Sequence, residues 1–276
     1  MNPHQAHPAG LLELFASLWR NRKLIVQLAK RDVVGRYRGS LIGLAWSFFN
    51  PLLMLVIYTF VFSVIFKARW NSGQSDSHSG FAVILFAGII VHGIFAECIN
   101  KAPSLVLSNA NYVKRVIFPL EVLPWVSMGS ALFHAAISLL VLLIAQLCLG
   151  YPLQWTSLLI PVVVLPLIGV VMGFAWVLAA SSVFVRDIAQ LTGIFTSALM
   201  FLAPIFYPAT ALPEQYCSWL YLNPLTFIVE QARAVLIAGE LPDWGGLAIY
   251  GVVSLAFAAA GFWFFQKSRK GFADVV

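Results

Sequence analysis

The chain has 276 residues, of which 61% are hydrophobic and 10% are charged, and its formal net charge is +6. A soluble domain carries about 25% charged residues, so this composition excludes an ordinary soluble domain and favours a membrane protein. The apolar runs are long and unbroken, unlike the alternating pattern of a membrane barrel strand. We therefore expect an all-α integral membrane protein.

The segment before the first long apolar run, residues 1–40, is amphipathic and then basic. Six apolar residues recur there at helical spacing: Leu11, Leu14, Phe15, Leu18, Ile25 and Ala29. This pattern is typical of a helix in the membrane interface, either a simple anchor or a docking surface for a cytoplasmic partner. Seven basic residues from Arg20 to Arg38 form a stop beside the first span and attract anionic lipid, at about 1 kcal/mol each. The candidate contacts to lipid phosphate are Lys30, Arg31, Arg36 and Arg38.

Six membrane spans are predicted, because each span needs roughly 20 apolar residues. They are Leu41–Phe66, Phe81–Asn100, Val122–Leu149, Ser157–Phe184, Ile188–Phe206 and Gly245–Gln266. Between the last two spans, the charge-free stretch Gln215–Val229 has only 15 residues and contains Pro224. That is short for a span and fits a re-entrant or interfacial segment. The glycine pairs Gly39-x-x-x-Gly43 and Gly169-x-x-x-Gly173 allow close helix approach.

The distribution of basic residues orients these spans. Fourteen of the 17 Lys and Arg residues lie on the side of the two termini, and basic residues concentrate on the cytoplasmic side of membrane proteins. Both termini should therefore be cytoplasmic, with a transmembrane domain at 41–266 and a cytoplasmic tail at 267–276. The first apolar run is too long for the core of a signal peptide, so we expect no cleavable signal.

Three ionisable residues, His92, Glu97 and His134, lie in or beside predicted spans. Such residues are functional candidates by default. The sequence shows no partner for them, which favours helix packing or a polar lining over a proton relay.

The connection Asn100–Trp125 is polar, then basic, and is then broken by two prolines. Asn109 can cap a short helix that follows it. That helix carries the apolar residues Tyr112, Val113, Val116 and Ile117, with Lys114 and Arg115 turned to water. A plain loop needs no apolar stripe, so this pattern indicates a helix that presses into the cleft of a partner.

Motifs of catalysis and of metal binding are missing from the sequence. It contains no G-x-x-x-x-G-K-[ST], no H-E-x-x-H and no G-x-S-x-G, and its three cysteines are single. We expect no catalytic residue and no metal site. The basic residues sit at the edges of apolar runs, which argues against nucleic acid as a partner.

Three stretches carry a resemblance to a known family. They are QLAKRDVVGRYRGSLIGLAWSFFNPLLMLVIYTFVFSVIFKA (27–68), NANYVKRVIFPLEVLP (109–124) and FYPATALPEQYCSWLYLNPLTFIVEQARAVL (206–236). In this order they resemble the membrane subunit of ABC-2-type polysaccharide exporters. The likeness is greatest to the O-antigen (Wzm-type) permeases of Gram-negative bacteria, whose relatives export capsule and teichoic acid.

The resemblance implies a subunit of a bacterial inner-membrane exporter for a lipid-linked polysaccharide. Two copies would form the channel, and two separate cytoplasmic ABC ATPase subunits would bind ATP and Mg, so this chain would hold no cofactor and would not be an enzyme. Leu11–Leu28 would be the interface helix beside the ATPase, and Leu212–Leu236 would form re-entrant gate helices at the periplasmic mouth. The interface residues would be Leu14, Leu18, Arg22 and Lys23, and the ATPase-coupling residues would be Asn109, Asn111, Tyr112, Val113, Lys114 and Arg115.

Aromatic residues supply most of the candidates for the channel and its gate. The apolar face of a pyranose ring suits an aromatic side chain, although aromatic belts at membrane interfaces account for most of the 39 aromatic residues. The channel or gate candidates are Phe48, Phe49, Tyr58, Phe62, Phe201, Phe206, Tyr207, Asn223, Pro224 and Glu230.

Three alternatives differ from this interpretation. The same machine could carry another cargo, such as capsule, teichoic acid or a small drug. An ion-coupled secondary transporter would show inverted repeats and charged midplane sites, but the spans are nearly free of charge. A membrane glycosyltransferase would need a carboxylate pair or metal motif, which Glu214, Glu230 and Glu240 do not form by spacing.

Overall fold

The computed structural model describes residues 9–65, 78–113, 118–209 and 219–275, and every regular element in these ranges is helical. The helices are α1 (Leu11–Arg36), α2 (Trp46–Thr59), α3 (His78–Lys101), α4 (Ser104–Leu107), α5 (Ala110–Val113), α6 (Leu123–Cys148), α7 (Ile160–Phe184), α8 (Ile188–Leu202), α9 (Pro224–Arg233), α10 (Trp244–Ser268) and α11 (Phe272–Val275). Short 3₁₀ or π turns adjoin α2, α6, α7, α9 and α10. The all-α prediction is confirmed.

Within the described ranges, five helices are long and apolar enough to cross a membrane. With their adjoining turns they are Gly43–Phe62, Gly80–Lys101, Leu120–Cys148, Trp155–Phe184 and Trp244–Gly271. Each begins within two residues of a predicted span, because an unbroken apolar run of about 20 residues is both the sequence signal and the structure.

The remaining predicted span, Ile188–Phe206, differs from the structure. Its helix α8 has 15 residues and ends at Leu202, so it is about 22 Å long. Pro204 explains the end, because proline cannot continue a helix and disfavours the helical conformation of the residue before it. Ala203 accordingly has extended backbone, with φ −81° and ψ 150°.

Helix α3 is the centre of the bundle. Two thirds (67%) of its apolar window is buried, against 11% for Gly43–Phe62. It packs against α2, α6, α7, α8 and α9. Helix α1 lies mainly against α6, and its buried residues are Leu14, Ser17, Ile25 and Val33.

The two glycine pairs have different roles. Gly169 and Gly173 of α7 face α10, where a Cβ on either residue would overlap Ser254 or Phe257. This confirms the predicted close helix approach for that pair. The prediction is wrong for Gly39 and Gly43, which have φ of +87° and +57°. A Cβ on either residue would have no heavy atom within 4 Å, so no helix packs closely against them in the described chain. They make the turn between α1 and α2, since glycine adopts positive φ without steric cost.

Candidate functional site

The predicted interface helix, α1, has one buried face and one exposed face. Leu14 is buried and Leu18 is partly buried, whereas Arg22 and Lys23 are exposed. The guanidinium of Arg22 lies over the ring of Trp19, 4.4 Å from its centroid. Helix α1 thus packs against the rest of the protein with one face and exposes basic and aromatic side chains on the other.

A buried carboxylate that sequence reasoning missed anchors this helix. Glu121 is 6% exposed, and its Oε1 accepts a hydrogen bond from Ser17 Oγ of α1 at 3.1 Å. Its Oε2 accepts one from Arg269 Nη1 at 2.8 Å, and Arg269 Nη2 donates to the carbonyl oxygen of Phe118. One acidic side chain therefore joins α1, the start of α6 and the end of the last long helix.

The four predicted lipid-phosphate residues are all exposed on α1 or just after it. Arg36 also has a protein partner, because its Nη2 donates to Glu97 Oε1 of α3. A role in binding lipid phosphate stays a prediction for Lys30, Arg31, Arg36 and Arg38.

Two of the ionisable residues noted in the apolar helices form a pair that the sequence did not reveal. His134 Nδ1 of α6 lies 3.0 Å from Glu97 Oε2 of α3. Helix packing, one of the two roles that the sequence favoured for them, fits this pair. The third residue, His92, lies with Nε2 3.1 Å from the carbonyl oxygen of Thr196 on α8.

The predicted coupling segment begins at Asn109, after the short helix α4, and its first residues form α5. Asn109 lies between them, and its Nδ2 donates to the carbonyl oxygen of Leu105 at 2.8 Å. Asn111 is exposed on α5. The side chains of Tyr112 and Val113, and all of residues 114–117, which include Lys114 and Arg115, lie outside the described part of the chain.

The residues just before this segment are hydrogen-bonded to the helix bundle. Ser182 Oγ of α7 donates to the carbonyl oxygen of Pro103 at 2.7 Å. A cavity of about 150 Å³ separates α1 from this connection, and its lining includes Arg31, Ser104 and Asn109. The connection is therefore held at its base and open on the side that faces α1.

Four aromatic rings meet at the other end of the bundle, and three of them belong to the predicted gate set. Phe206 stacks between Phe62 and Phe201, with centroids 6.0 Å and 5.4 Å away. Phe81, at the start of α3, lies 5.4 Å from Phe62. We call Phe62, Phe81, Phe201 and Phe206 the aromatic cluster. Tyr207 adjoins it and donates from its hydroxyl to the carbonyl oxygen of Phe201 at 3.3 Å.

The other aromatic candidates lie elsewhere on α2. Phe48 and Phe49 contact each other near its start, with centroids 6.2 Å apart, and about 21 Å of helix separates Phe48 from Phe62. Tyr58 is partly buried one turn before Phe62. Phe62, in the turn that follows α2, thus joins the aromatic cluster, whereas Phe48 and Phe49 lie far from it.

Near its start, the segment around α9 is hydrogen-bonded to two other helices, α8 and α10. Asn223 caps α9, since its Oδ1 accepts from the Leu225 N–H at 2.9 Å, and its Nδ2 donates to the carbonyl oxygen of Leu199 on α8. The Pro224 carbonyl oxygen accepts from the Tyr250 hydroxyl of α10 at 2.7 Å. Glu230 Oε2 accepts from the hydroxyl of Tyr221 at 3.2 Å.

Arg233, at the end of α9, is the main residue of this segment that sequence reasoning did not single out. Its Nε donates to the carbonyl oxygen of Ile84 on α3 at 3.0 Å, and its two Nη atoms donate to those of Pro204 and Ile205. A Cβ on Gly88 would lie 3.1 Å from Arg233 Nη2. In the sequence, Arg233 stood out only as a basic residue on the side of the membrane that was predicted to carry few basic residues.

A family model and several known proteins match most of this chain. The model of the ABC-2 type transporter family matches residues 23–237. The chain is 26% identical over 268 residues to the O-antigen export system permease protein RfbA of Myxococcus xanthus, covering 96% of this chain and 100% of that protein. It is 23% identical to the RfbA protein of Klebsiella pneumoniae, over 92% of this chain and 95% of that one.

A more distant relative has a different named cargo. The polysialic acid transport protein KpsM of Escherichia coli is 24% identical over 245 residues, covering 83% of this chain and 88% of that protein. The family match spans α2 to α9 and includes the predicted coupling segment and the aromatic cluster. The chain therefore belongs to the ABC-2 type transporter family.

Proposed function

We propose that this chain is the membrane subunit of an ABC exporter that moves a lipid-linked polysaccharide of the O-antigen class across the bacterial inner membrane. The observation that carries the proposal is the correspondence with an O-antigen export permease over 96% of this chain and the whole of that protein. ATP and Mg would bind to a separate ATPase subunit, because the sequence lacks a phosphate-binding loop.

The proposed topology has six spans and cytoplasmic termini. Helix α8 alone is shorter than the roughly 30 Å hydrocarbon core, so it would cross with the help of the turn Ala203–Phe206 and of α9, which packs beside α3 and α7. The segment around α9 would then enter and leave the membrane on the periplasmic side as the re-entrant gate. The excess of Lys and Arg on the side of the termini supports this orientation.

We propose that two copies form the channel. Along Gly43–Phe62 only 11% of the apolar window is buried within one chain, and α8 leaves Leu191 and Ile194 more than 60% exposed. Both helices pack on α3, so their uncovered faces lie on neighbouring parts of the surface. A second copy would cover them, and the mass of the purified complex measured by light scattering tests this.

A sugar polymer needs such a channel because hydrocarbon offers its hydroxyl groups no partner. Each unpaired hydroxyl costs on the order of 2–7 kcal/mol in an apolar medium. Phe201, the exposed ring of the aromatic cluster at 62% exposure, would offer an apolar face to a sugar ring. In the proposed orientation the aromatic cluster lies at the periplasmic mouth, where the polymer would leave.

Replacing Phe206 with alanine should reduce export about twofold to tenfold, because it removes the central ring of the cluster and ring pairs contribute about 0.5–1.5 kcal/mol each. Phe206→Tyr keeps the ring and should export normally. The exposed Phe264 of α10 provides the matched control, Phe264→Ala. Surface glycan normalised to permease in the membrane is the measurement, and equal export by the two alanine variants would contradict the role of the cluster.

Tyr112→Asp or Val113→Asp should uncouple export while the permease stays inserted. The reason is that an acidic side chain would disrupt the apolar stripe predicted to fit the cleft of the ATPase. Ser108→Asp, at an exposed position just before the predicted coupling residues, adds the same charge and tests whether the apolar position matters. Surface glycan should fall several-fold more for the first two variants, and normal glycan with normal ATP turnover would count against the proposed coupling helix.

The whole proposal is tested by deleting the gene and restoring it together with the gene of an ABC ATPase subunit. Loss and recovery of O-antigen in stained lipopolysaccharide is the expected result. Recovery of a capsule instead would favour the cargo of the Escherichia coli relative. Export that persists when the ATPase cannot hydrolyse ATP would overturn the proposal in favour of a secondary transporter.

A further inference from the structure

Three helices meet at an ion pair on the side of the termini. Lys101 Nζ, at the end of α3, lies 2.5 Å from both carboxylate oxygens of Asp32 on α1. Ser130 Oγ of α6 donates to Asp32 Oδ2 at 2.6 Å. Burial raises the pKa of Asp32, but the hydrogen bonds from Lys101 and Ser130 and the nearby positive charges lower it more, so its net pKa lies below the ordinary value.

The same three helices meet again one turn away. Arg36 of α1 donates to Glu97 of α3, and His134 of α6 also contacts Glu97, at 3.0 Å. Tyr37 completes this level, with its hydroxyl 3.3 Å from His134 Nε2. Each helix therefore contributes two residues four positions apart, which is the spacing that places side chains on one helix face. The six residues, Asp32, Arg36, Glu97, Lys101, Ser130 and His134, are named here the interhelical clamp.

The order of charges in the clamp specifies one register. Helix α1 presents a negative and then a positive charge, and α3 does the same, but the two run antiparallel at this point because Asp32 pairs with Lys101 and Arg36 with Glu97. A slide of α1 by one helical turn would bring Asp32 to Glu97, or Arg36 to Lys101. Like charges would then face each other, so the clamp disfavours sliding.

We propose that the interhelical clamp makes α1 move as one body with α3 and α6, and so delivers the displacement of α1 to the aromatic cluster. This inference rests on the proposed function and on the expectation from the family resemblance that α1 lies beside the ATPase. Lys101 and Phe81 sit at opposite ends of α3, about 30 Å apart, so a tilt of α3 at the clamp moves the ring of Phe81 in the cluster. The clamp residues are positioning residues, since they act through α3.

A charge swap tests the proposal. Lys101→Asp places two carboxylates together and should lower the glycan exported per ATP hydrolysed by about tenfold, the size of a typical coupling between sites. The double variant Asp32→Lys with Lys101→Asp restores an ion pair with the same total charge and should recover most of that ratio. A merely structural role would lower the amount of permease and leave this ratio unchanged. Lys270→Asp, an exposed position on the same side, is the matched control.

If Lys101→Asp fails to accumulate in the membrane, the neutral double variant Asp32→Asn with Lys101→Gln replaces it in the test. This variant should also lower the glycan exported per ATP hydrolysed. A wild-type ratio in Lys101→Asp or in the neutral pair, or a double swap as poor as the single variant, overturns the proposal. The melting temperature of the purified permease reports the pairing independently of transport, and the swap should restore it. Failure of the wild-type complex to export any glycan would overturn the proposed function instead.

Discussion

Arg233→Met should release the segment around α9 and abolish export, with the largest loss of stability expected from any single polar substitution in the described structure. The guanidinium reaches three main-chain carbonyl oxygens, those of Ile84, Pro204 and Ile205. These belong to the start of α3 and to the turn that follows α8. Arg233 therefore holds together the elements that carry Phe81 and Phe206 of the aromatic cluster.

The size of the effect follows from the number of acceptors left without a donor. A buried acceptor that loses its partner costs about 1–3 kcal/mol, so the oxygens of Pro204 and Ile205 together cost about 2 kcal/mol or more, while that of Ile84 keeps its donor within α3. Methionine preserves much of the apolar length of the side chain and donates no hydrogen bond. Lysine keeps the charge but lacks the planar fork of donors, so Arg233→Lys should fall between methionine and the wild type.

Thermal unfolding of the purified permease and limited proteolysis between α8 and α10 are the measurements. Arg233→Met should melt at a lower temperature and be cleaved faster in this segment. Arg186→Met, which removes an exposed arginine between α7 and α8, should behave like the wild type. The interpretation fails if both methionine variants melt and are cleaved alike.

Much of the fold was predictable from the sequence because the bilayer sets the length of a span. The five long helices follow from apolar runs of about 20 residues, and the end of α8 could have been placed from Pro204 by the same rules that explain it. The contribution of α7 to its close approach with α10 was also predictable, from the spacing of Gly169 and Gly173.

The polar contacts of the site were not predictable, because they join residues far apart in the chain. Glu97 stood alone in its apolar run, and its partners Arg36 and His134 come from α1 and α6. Arg233 likewise meets the carbonyl oxygen of a residue 149 positions away. Hydropathy identifies the helices but not their rotation or order in the bundle, and those decide which charges meet.

The aromatic candidates show the same division. Composition gave no means of choosing among the aromatic residues of the first span, because both of its ends carry aromatic side chains. The structure places Phe62 beside Phe206 because the end of α2 and the turn after α8 both lie against the start of α3. Phe48 and Phe49 are excluded from that cluster by their distance along the helix alone.

Gly261→Ala should destabilise the permease although alanine favours helices. A Cβ at Gly261 of α10 would overlap the carbonyl oxygen of Gly173 on α7 and lie 2.9 Å from its Cα. Both obstacles are main-chain atoms, so no side chain can turn aside and the two helices must separate. Overpacking of this kind costs about 1–3 kcal/mol, which lowers the melting temperature by about 2–10 °C in a chain of this size.

The same helix offers the matched control. Gly251 of α10 has no heavy atom within 4 Å of a built Cβ, so Gly251→Ala changes helix propensity without a new contact. Alanine exceeds glycine in a helix by about 0.8–1 kcal/mol, and this variant should melt at or above the wild-type temperature. Opposite signs for one substitution at two positions of one helix would identify the contact with Gly173 as the cause. Shifts of the same sign and size would show that α7 and α10 do not pack this closely.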